Sequence, residues 1–312
     1  ELEHRVAALG ARGITPTRGI LLIGGDPRSA AYVRRKQRAA ERLGVSVRLV
    51  TMSLDQNSEF RIQNSGLADS AKEPNQMILT TVAAIERQID DWNRDQSLHG
   101  MIIQLSLPEL LADYELSLIE RIDPAKDVDG LHPVNFGRLL RGYDAITPAT
   151  PRGVMKLLSV YHVALTGTRV TLIGFGKLVG RALATLLVNA GATLTVATKR
   201  TRDLAAVTQA AEIVISSAGV ANLVTADMIN SSAVLVDVGL SDVGDRLVGD
   251  ISDEAKQKAR LASPVPGGVG PMTVAMLLSN VVEAAERFNH RIQGTEFGIQ
   301  NTRQGISPNS EF

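Results

Sequence analysis

The stretch Arg169-Val-Thr-Leu-Ile-Gly-Phe-Gly-Lys-Leu-Val-Gly180 decides how this chain folds. Val170 to Ile173 is a short apolar run of the kind that forms a buried parallel strand. It stops at Gly174-Phe175-Gly176, and a helical pattern starts near Leu178 and runs to Asn189. Strand, glycine turn and helix together suit a nucleotide pyrophosphate. Glycine lets the backbone come close, and the free N–H groups at the helix start face the phosphates. The usual dinucleotide spacing is G-x-G-x-x-G. Gly174, Gly176 and Gly180 give G-x-G-x-x-x-G, one residue longer. On the motif alone, a glycine turn without a ligand is the competing reading.

Outward from this turn the pattern repeats. Leu194 to Ala197 reads as the next strand, followed by a helix over 202–210 and a strand from Ile213 to Ser216. A short helix near 225–229 and a strand from Ala233 to Asp237 complete a Rossmann-like series. Pro264-Val-Pro-Gly-Gly-Val-Gly-Pro271 reads as a rigid loop leading into an amphipathic helix from Thr273 to about Arg291. Upstream, a helix is expected from Gly153 to Tyr161.

The N-terminal half has its own rhythm. Residues 1–13 read as the end of a helix, and Gly19 to Gly24 as a buried strand. After the Gly25-Asp26-Pro27 turn, Ser29 is the expected N-cap of a helix ending at Gly44. Strand 45–51, helix 77–92, strand 101–105 and a short helix over 113–122 follow, which is β-α-β-α-β. Residues 52–76 are polar and patternless and are expected to form an exposed, disordered loop. The tail from Gly294 is expected to be disordered and partly foreign. The fold class is α/β, with two domains.

Composition narrows the function. The 312 residues suffice for two ordinary cores. Lys plus Arg and Asp plus Glu are both 33, so the net charge is zero and no nucleic-acid partner is expected. The absence of cysteine excludes disulfides and thiolate catalysis and suits a reducing compartment, so the cytoplasm is expected. The five histidines have no ligand spacing, and no metal is expected. No apolar run reaches membrane-spanning length, and no signal peptide or membrane partner is expected. The chain opens on Glu1 rather than methionine, so its natural start is expected to lie upstream.

Some residues stand out for chemistry. Tyr32 and Lys36 are four apart on a helix and share a face. A solvated helix face is the ordinary reading of such a pair. Asp127-Val-Asp129-Gly130 reads as an acidic turn, which taken alone is an ordinary polar turn. Gln104 sits at the end of a parallel strand, where open α/β sheets hold their ligand-contacting groups. The 264–271 loop serves either a site or a structural crossing.

Taken together, these residues resemble a known family. Ser29-Ala-Ala-Tyr32-Val-Arg-Arg-Lys36, Gln104-Leu-Ser-Leu-Pro108, Lys126-Asp-Val-Asp129-Gly130, Thr150-Pro-Arg-Gly153 and Pro264-Val-Pro-Gly-Gly-Val-Gly-Pro-Met-Thr273 look like the bifunctional methylenetetrahydrofolate dehydrogenase/methenyltetrahydrofolate cyclohydrolases. The resemblance runs from about Glu1 to Arg291, outside the 52–76 loop. It implies a folate-binding catalytic domain of residues 1–150 plus 273–312, and a Rossmann-like domain of 151–272 that binds NADP, with NAD possible. Folate would lie in the cleft between them. It implies a tetrahydrofolate derivative as substrate, a role in one-carbon metabolism and purine biosynthesis, and a homodimer.

The family's catalytic lysine falls on Lys36, its stacking tyrosine on Tyr32, its lysine-supporting glutamine on Gln104 and its pterin-binding aspartate on Asp129. Gly268 and Pro271 are expected at the substrate. Thr150, Gly174, Phe175, Gly176, Lys177, Lys199, Arg200 and Gly239 are expected at the cofactor. The sequence departs from the family in places. Phe175-Gly176 stands where Arg-Ser is usual, Lys199 where serine is usual, Ser106 where proline is usual, and Ala149 where cysteine is usual. Thr198-Lys199-Arg200 offers positive charge rather than the acid that suits NAD, so NADP is favoured. Two alternatives remain: a cyclohydrolase with a weakened or NAD-dependent dehydrogenase, and a folate- or nucleotide-binding protein without turnover.

Overall fold

The structure is a computed structural model, which describes residues 1–24, 27–54, 59–63, 68–70, 74–105, 107–244 and 246–292. Helix α1 (Leu2–Gly10) leads to β1 (Thr17–Ile23), α2 (Pro27–Leu43) and β2 (Ser46–Leu54). Short strands β3 (Glu59–Gln63) and β4 (Ala68–Ser70) come next, then α3 (Pro74–Arg94) and β5 (Gly100–Ile103). A 3-10 turn at Glu109–Tyr114 runs into α4 (Glu115–Glu120), followed by α5 (Pro133–Leu140) and α6 (Ala149–Val160). The second half continues with β6 (Arg169–Ile173), α7 (Gly180–Asn189), β7 (Thr193–Ala197), α8 (Leu204–Gln209) and β8 (Ile213–Ser216). It closes with β9 (Val234–Asp237), β10 (Ser241–Val243), β11 (Arg246–Val248), α9 (Asp253–Lys258), β12 (Leu261–Ala262) and α10 (Val269–Ile292).

Two five-stranded sheets result, in the orders β4-β3-β2-β1-β5 and β12-β9-β8-β6-β7. The second is parallel throughout. In the first, β1 runs parallel to β2 and β5, while β3 and β4 add antiparallel strands.

Every residue of β1 is buried, as expected of a central strand covered on both faces. Ile20 and Leu22 pack in one core with Leu277, Leu278, Val281 and Val282 of α10 and with Val33 and Ala40 of α2. Leu21 and Ile23 point the other way, into a core with Ile85, Ile89 and Trp92 of α3. A side chain at Gly19 would strike the Trp92 ring at 2.6 Å, so only glycine lets α3 lie this close.

Both sheets reverse at a central strand. From β1 the chain goes to β2 on one side and later to β5 on the other; from β6 it goes to β7 and then to β8. Such switch points open a crevice at the carboxyl ends of the strands, where α/β sheets bind ligands.

The expected α/β fold is present, with local corrections. Part of the 52–76 segment is not a loop, because β2 runs on to Leu54 and pairs with β3, which pairs with β4. The alternation Phe60-Arg61-Ile62-Gln63 carries that strand signal, too short to stand out among polar residues. Residues 74–76 open α3, and the rest of the segment and the tail from Gly294 lie outside the described residues. Ser29 is not an N-cap, since α2 already starts at Pro27. Likewise α10 starts at Val269, so Gly270 and Pro271 belong to its first turn, where a proline loses no helical hydrogen bond.

Candidate active site

Lys36 lies midway along α2, and Gln104 follows the last residue of β5. Lys36 Nζ donates to Gln104 Oε1 at 3.0 Å. The amide of Gln104 is itself fixed: its Nε2 donates to Leu105 O at 2.8 Å, and its backbone N donates to Leu21 O at 2.8 Å. The glutamine therefore turns its oxygen, not its nitrogen, toward the lysine. It orients the amine without adding a charge.

Asp129 comes from the turn beyond β5. That turn is held from beneath. Lys126 Nζ donates to the carbonyls of Trp92, Asn93 and Asp95, at the end of α3. The Asp127 carboxylate accepts from Gly130 N, His132 N and Asn135 Nδ2. Gly130 has φ +72° and sits against the backbone of Pro148, where a side chain would come within 2.6 Å. Asp127 is thus structural, and Asp129 is the carboxylate left for other work.

The two ionisable groups are half-buried as residues, but their charged ends are the part that protein surrounds. Burial pushes the Lys36 amine below the ordinary lysine range; the Asp129 charge opposes the shift and the Arg18 charge adds to it. Burial pushes the Asp129 carboxyl up, against the pull of Lys36 and Arg18 and with the push of Asp127. A lysine shifted this way gives up its proton more readily, which suits it to act as a base. Tyr32 lies one turn before Lys36 on α2; its side chain is outside the described residues, as is Ser106.

At the second switch point the glycines divide in role. Gly174 has φ +98°, and a side chain there would meet Ser217 O at 2.6 Å. A side chain at Gly180 would meet Gly174 O at 2.3 Å. These two close the turn onto α7. Gly176 has no atom within 4 Å of where a side chain would start, so its place is open. Phe175 is 46% exposed and carries Arg181 5.8 Å from its ring centre. Gly174 N donates to Ala197 O at 2.9 Å, which brings the β7 end and the exposed Lys199 and Arg200 beside the glycine turn.

The remaining predicted residues fall in three places. Thr150, at the start of α6, meets Thr273 of α10 with 3.1 Å between hydroxyl oxygens. Gly268 sits before α10, where a side chain would meet Pro264 O at 2.5 Å, and Pro271 is exposed in the first turn. Lys177 pairs with Glu115 at 2.6 Å, reaching from the glycine turn to α4. A side chain at Gly239 would lie 1.9 Å from the Asp250 carboxylate.

The bifunctional protein FolD of Bacillus licheniformis is 38% identical to this chain over 289 residues, covering 92% of the chain and 93% of the relative. This chain belongs to the bifunctional methylenetetrahydrofolate dehydrogenase/cyclohydrolase family. The family model for the tetrahydrofolate dehydrogenase/cyclohydrolase NAD(P)-binding domain matches residues 148–289. The bifunctional FolD enzyme of Campylobacter jejuni superposes with a TM-score of 0.80 at 35% identity, over 92% of this chain and 93% of its own. The Trypanosoma brucei FolD, solved with NADP and an inhibitor, gives a TM-score of 0.79 at 34% identity, over 92% of each chain. The two-domain α/β architecture is therefore that of the dehydrogenase/cyclohydrolases.

Set among dehydrogenase/cyclohydrolases, the chain has features that sequence reasoning passed over. Asp250 accepts from Ser216 Oγ and from the backbone N–H groups of Ala218, Gly219 and Val220, and so shapes the loop after β8. Asp237 accepts from the N–H groups of Asp250 and Ile251 and pairs with Lys256 at 2.9 Å. The pairing of these acids with Gly239 and Gly249, which make room for them, was the available signal. Arg18 was the other omission: a charged residue at the start of an apolar strand reads as the chain leading into it. Among the described residues, no group of side chains could hold a metal ion, and no helix is long and apolar enough to cross a membrane.

Proposed function

We propose that this chain oxidises 5,10-methylenetetrahydrofolate to 5,10-methenyltetrahydrofolate with NADP and then hydrolyses the product to 10-formyltetrahydrofolate. The carrying observation is the Lys36–Gln104 bond at the first switch point, with the lysine held below its ordinary range. Lys36, Gln104, Asp129 and Tyr32 act on the folate. Neutral Lys36 takes one proton of the water whose oxygen adds to the methenyl carbon, the bond from that carbon to N5 then breaks with the hydroxyl proton passing to N5, and Gln104 keeps the amine aimed. Asp129 accepts hydrogen bonds from the pterin's amino and ring N–H groups. Tyr32 stacks on the folate, with Gly268 and Pro271 at the crevice edge.

The residues at the second switch point fit NADP. Gly174 and Gly180 shape the turn, Gly176 leaves backbone open to a pyrophosphate, and Lys199 and Arg200 offer charge to a 2′-phosphate. Thr150, Phe175, Lys177 and Gly239 line the same side. Bound NADP supplies a hydride acceptor for the methylene carbon. Phe175 brings no charge, so the preference over NAD rests on Lys199 and Arg200.

Residues 1–150 with 273–312 form the catalytic domain in this reading, and 151–272 the NADP domain. The protein works in cytoplasmic one-carbon metabolism, feeding purine biosynthesis, as a homodimer. Support for the dimer is β7, an edge strand of its sheet with Val196 36% exposed; sedimentation as a monomer would overturn it.

The test follows methenyl formation with NADP and with NAD, and methenyl hydrolysis separately, in purified protein. Both activities are expected, with NADP the better cofactor. A protein that binds folate but turns over neither reaction would overturn the proposal.

A further inference from the structure

Arg18 is the second residue of β1 and is 0% exposed. Among the described residues its Nε, Nη1 and Nη2 have no hydrogen-bond partner. A guanidinium has five N–H donors and no means of hiding its charge, so burying it unpaired is expensive. An apolar residue at this position would remove that cost. The strand around it is otherwise apolar: Gly19-Ile-Leu-Leu-Ile23.

The placement of Arg18 suggests what the cost serves. By the period of a strand it lies on the face of Ile20 and Leu22, which α2 and α10 cover. Its partner across the sheet in β5 is Gly100. Val128 packs against that same Gly100, where a side chain would meet it at 2.2 Å, and shares the core of Ile20 and Leu22. Met101 bridges Asp127, so the segment leading to Asp129 extends the sheet beyond β5. Arg18, the 127–129 segment and α2 with Lys36 thus border one interior face. The charges respond accordingly. Burial pushes Arg18 down, the Asp129 charge opposes the shift, and together they leave it at about 10. Arg18 in turn favours the ionised form of Asp129 and the neutral form of Lys36. Among the described residues, Asp127 also acts on Asp129, and its carboxylate is already taken by Gly130, His132 and Asn135.

We propose that Arg18 is a positioning residue: it supplies the fixed positive charge that balances Asp129, which leaves Lys36 free to be neutral and to act as base. The inference rests on the reading of Lys36 given above. The proton count makes it specific. With Arg18 charged and Asp129 ionised, those two charges cancel with no proton added to Lys36, while the Asp127 carboxylate is met by its own three N–H donors. Without Arg18 the interior restores neutrality by taking up one proton, shared between Lys36 and Asp129. On Lys36 that proton blocks the base; on Asp129 it removes an acceptor for the pterin.

The test measures methenyl hydrolysis against pH, above the spontaneous background, for the unmutated chain, Arg18→Leu and Arg18→Lys. Arg18→Leu should move the acid limb upward by about one pH unit, leaving the high-pH plateau within about twofold. Arg18→Lys should restore most of the shift. Thermal melting of Arg18→Leu should move up, because an apolar side chain fits the site without burying a charge. An unshifted limb, or a lower melting temperature with an unshifted limb, would assign Arg18 a structural role and overturn the inference. If Arg18→Leu fails to fold, Arg18→Gln makes the same comparison with a neutral side chain of polar character. An unmutated chain without hydrolase activity would instead count against the proposed function.

Discussion

The switch point beside β1 buries its charges, whereas the one beside β6 leaves them in water. Lys36 and Asp129 are held where burial dominates both of their protonation equilibria. Lys199 and Arg200 stand exposed on a turn. The same topological device therefore yields two kinds of site. Loss of solvent turns a lysine into a base, which a proton-transfer step needs. Retained solvent keeps lysine and arginine charged, which recognition of a phosphate needs, at the price of screening.

The sharpest way to break the comparison is Lys36→Met. Methenyl hydrolysis should fall by about a hundredfold or more, the usual worth of a general base, and dehydrogenase activity should fall less, since hydride transfer needs no proton acceptor. Hydrolysis of methenyltetrahydrofolate followed spectroscopically above background checks this. Unchanged hydrolysis would place the base elsewhere. The sign of the pH dependence follows from the same residue. Lys36 must be neutral, so hydrolysis should rise with pH through an apparent pKa below the ordinary lysine value and be lost as pH falls below it.

Gly180→Val attacks the other site. Its side chain cannot fit against Gly174 O without moving the turn. NADP affinity, measured by titration calorimetry, should weaken by about tenfold or more, with hydrolysis nearly intact, because strain of this kind costs on the order of 1–3 kcal/mol locally. Equal loss of both activities would mean that the two switch points are not separable.

Lys199→Asp should be milder. An exposed contact contributes about 1 kcal/mol or less, so NADP binding should weaken roughly fivefold, more than NAD binding, and the difference should shrink as salt rises. An unmutated protein that prefers NAD would remove the basis for this. Smallest of all is Lys177→Met. Its pair with Glu115 is exposed on the lysine side, and NADP affinity should change by less than about threefold. A larger loss would give Lys177 a direct part in holding the cofactor rather than a place at its margin.

The sequence was most legible where the physics is one-dimensional. Val170–Ile173, Ile213–Ser216 and Ala233–Asp237 are short apolar runs closed by turns, and each became a parallel strand. The β10–β11 hairpin and β3–β4 escaped because strands of three to five residues pair through the backbone and carry too short an apolar pattern to stand out. Helix α5 escaped because it is only eight residues long and opens on Pro133, with His132 as its cap. The glycine turn was visible by itself. Lys36, Gln104 and Asp129 were less so: Lys36 reads as a solvated helix face, Asp129 as a polar turn, and Gln104 had only its place at a strand end to mark it until three separate segments are brought together. The family resemblance gave them their roles. Arg18 had no such help, and its lack of partners exists only in three dimensions.

Helix α10 has a consequence for how the chain comes to be folded. The core around Ile20 and Leu22 is completed by Leu277, Leu278, Val281 and Val282, more than 250 residues later in the sequence. The parallel sheet of β6 to β12, by contrast, is drawn from one continuous segment. A ribosome releases the chain from its N-terminus at roughly 5–20 residues per second. The half of the protein made first is thus finished late, with the α10 side of the Ile20–Leu22 core still open while the later sheet is assembled. The Lys36 side of the fold is complete only once α10 packs onto it.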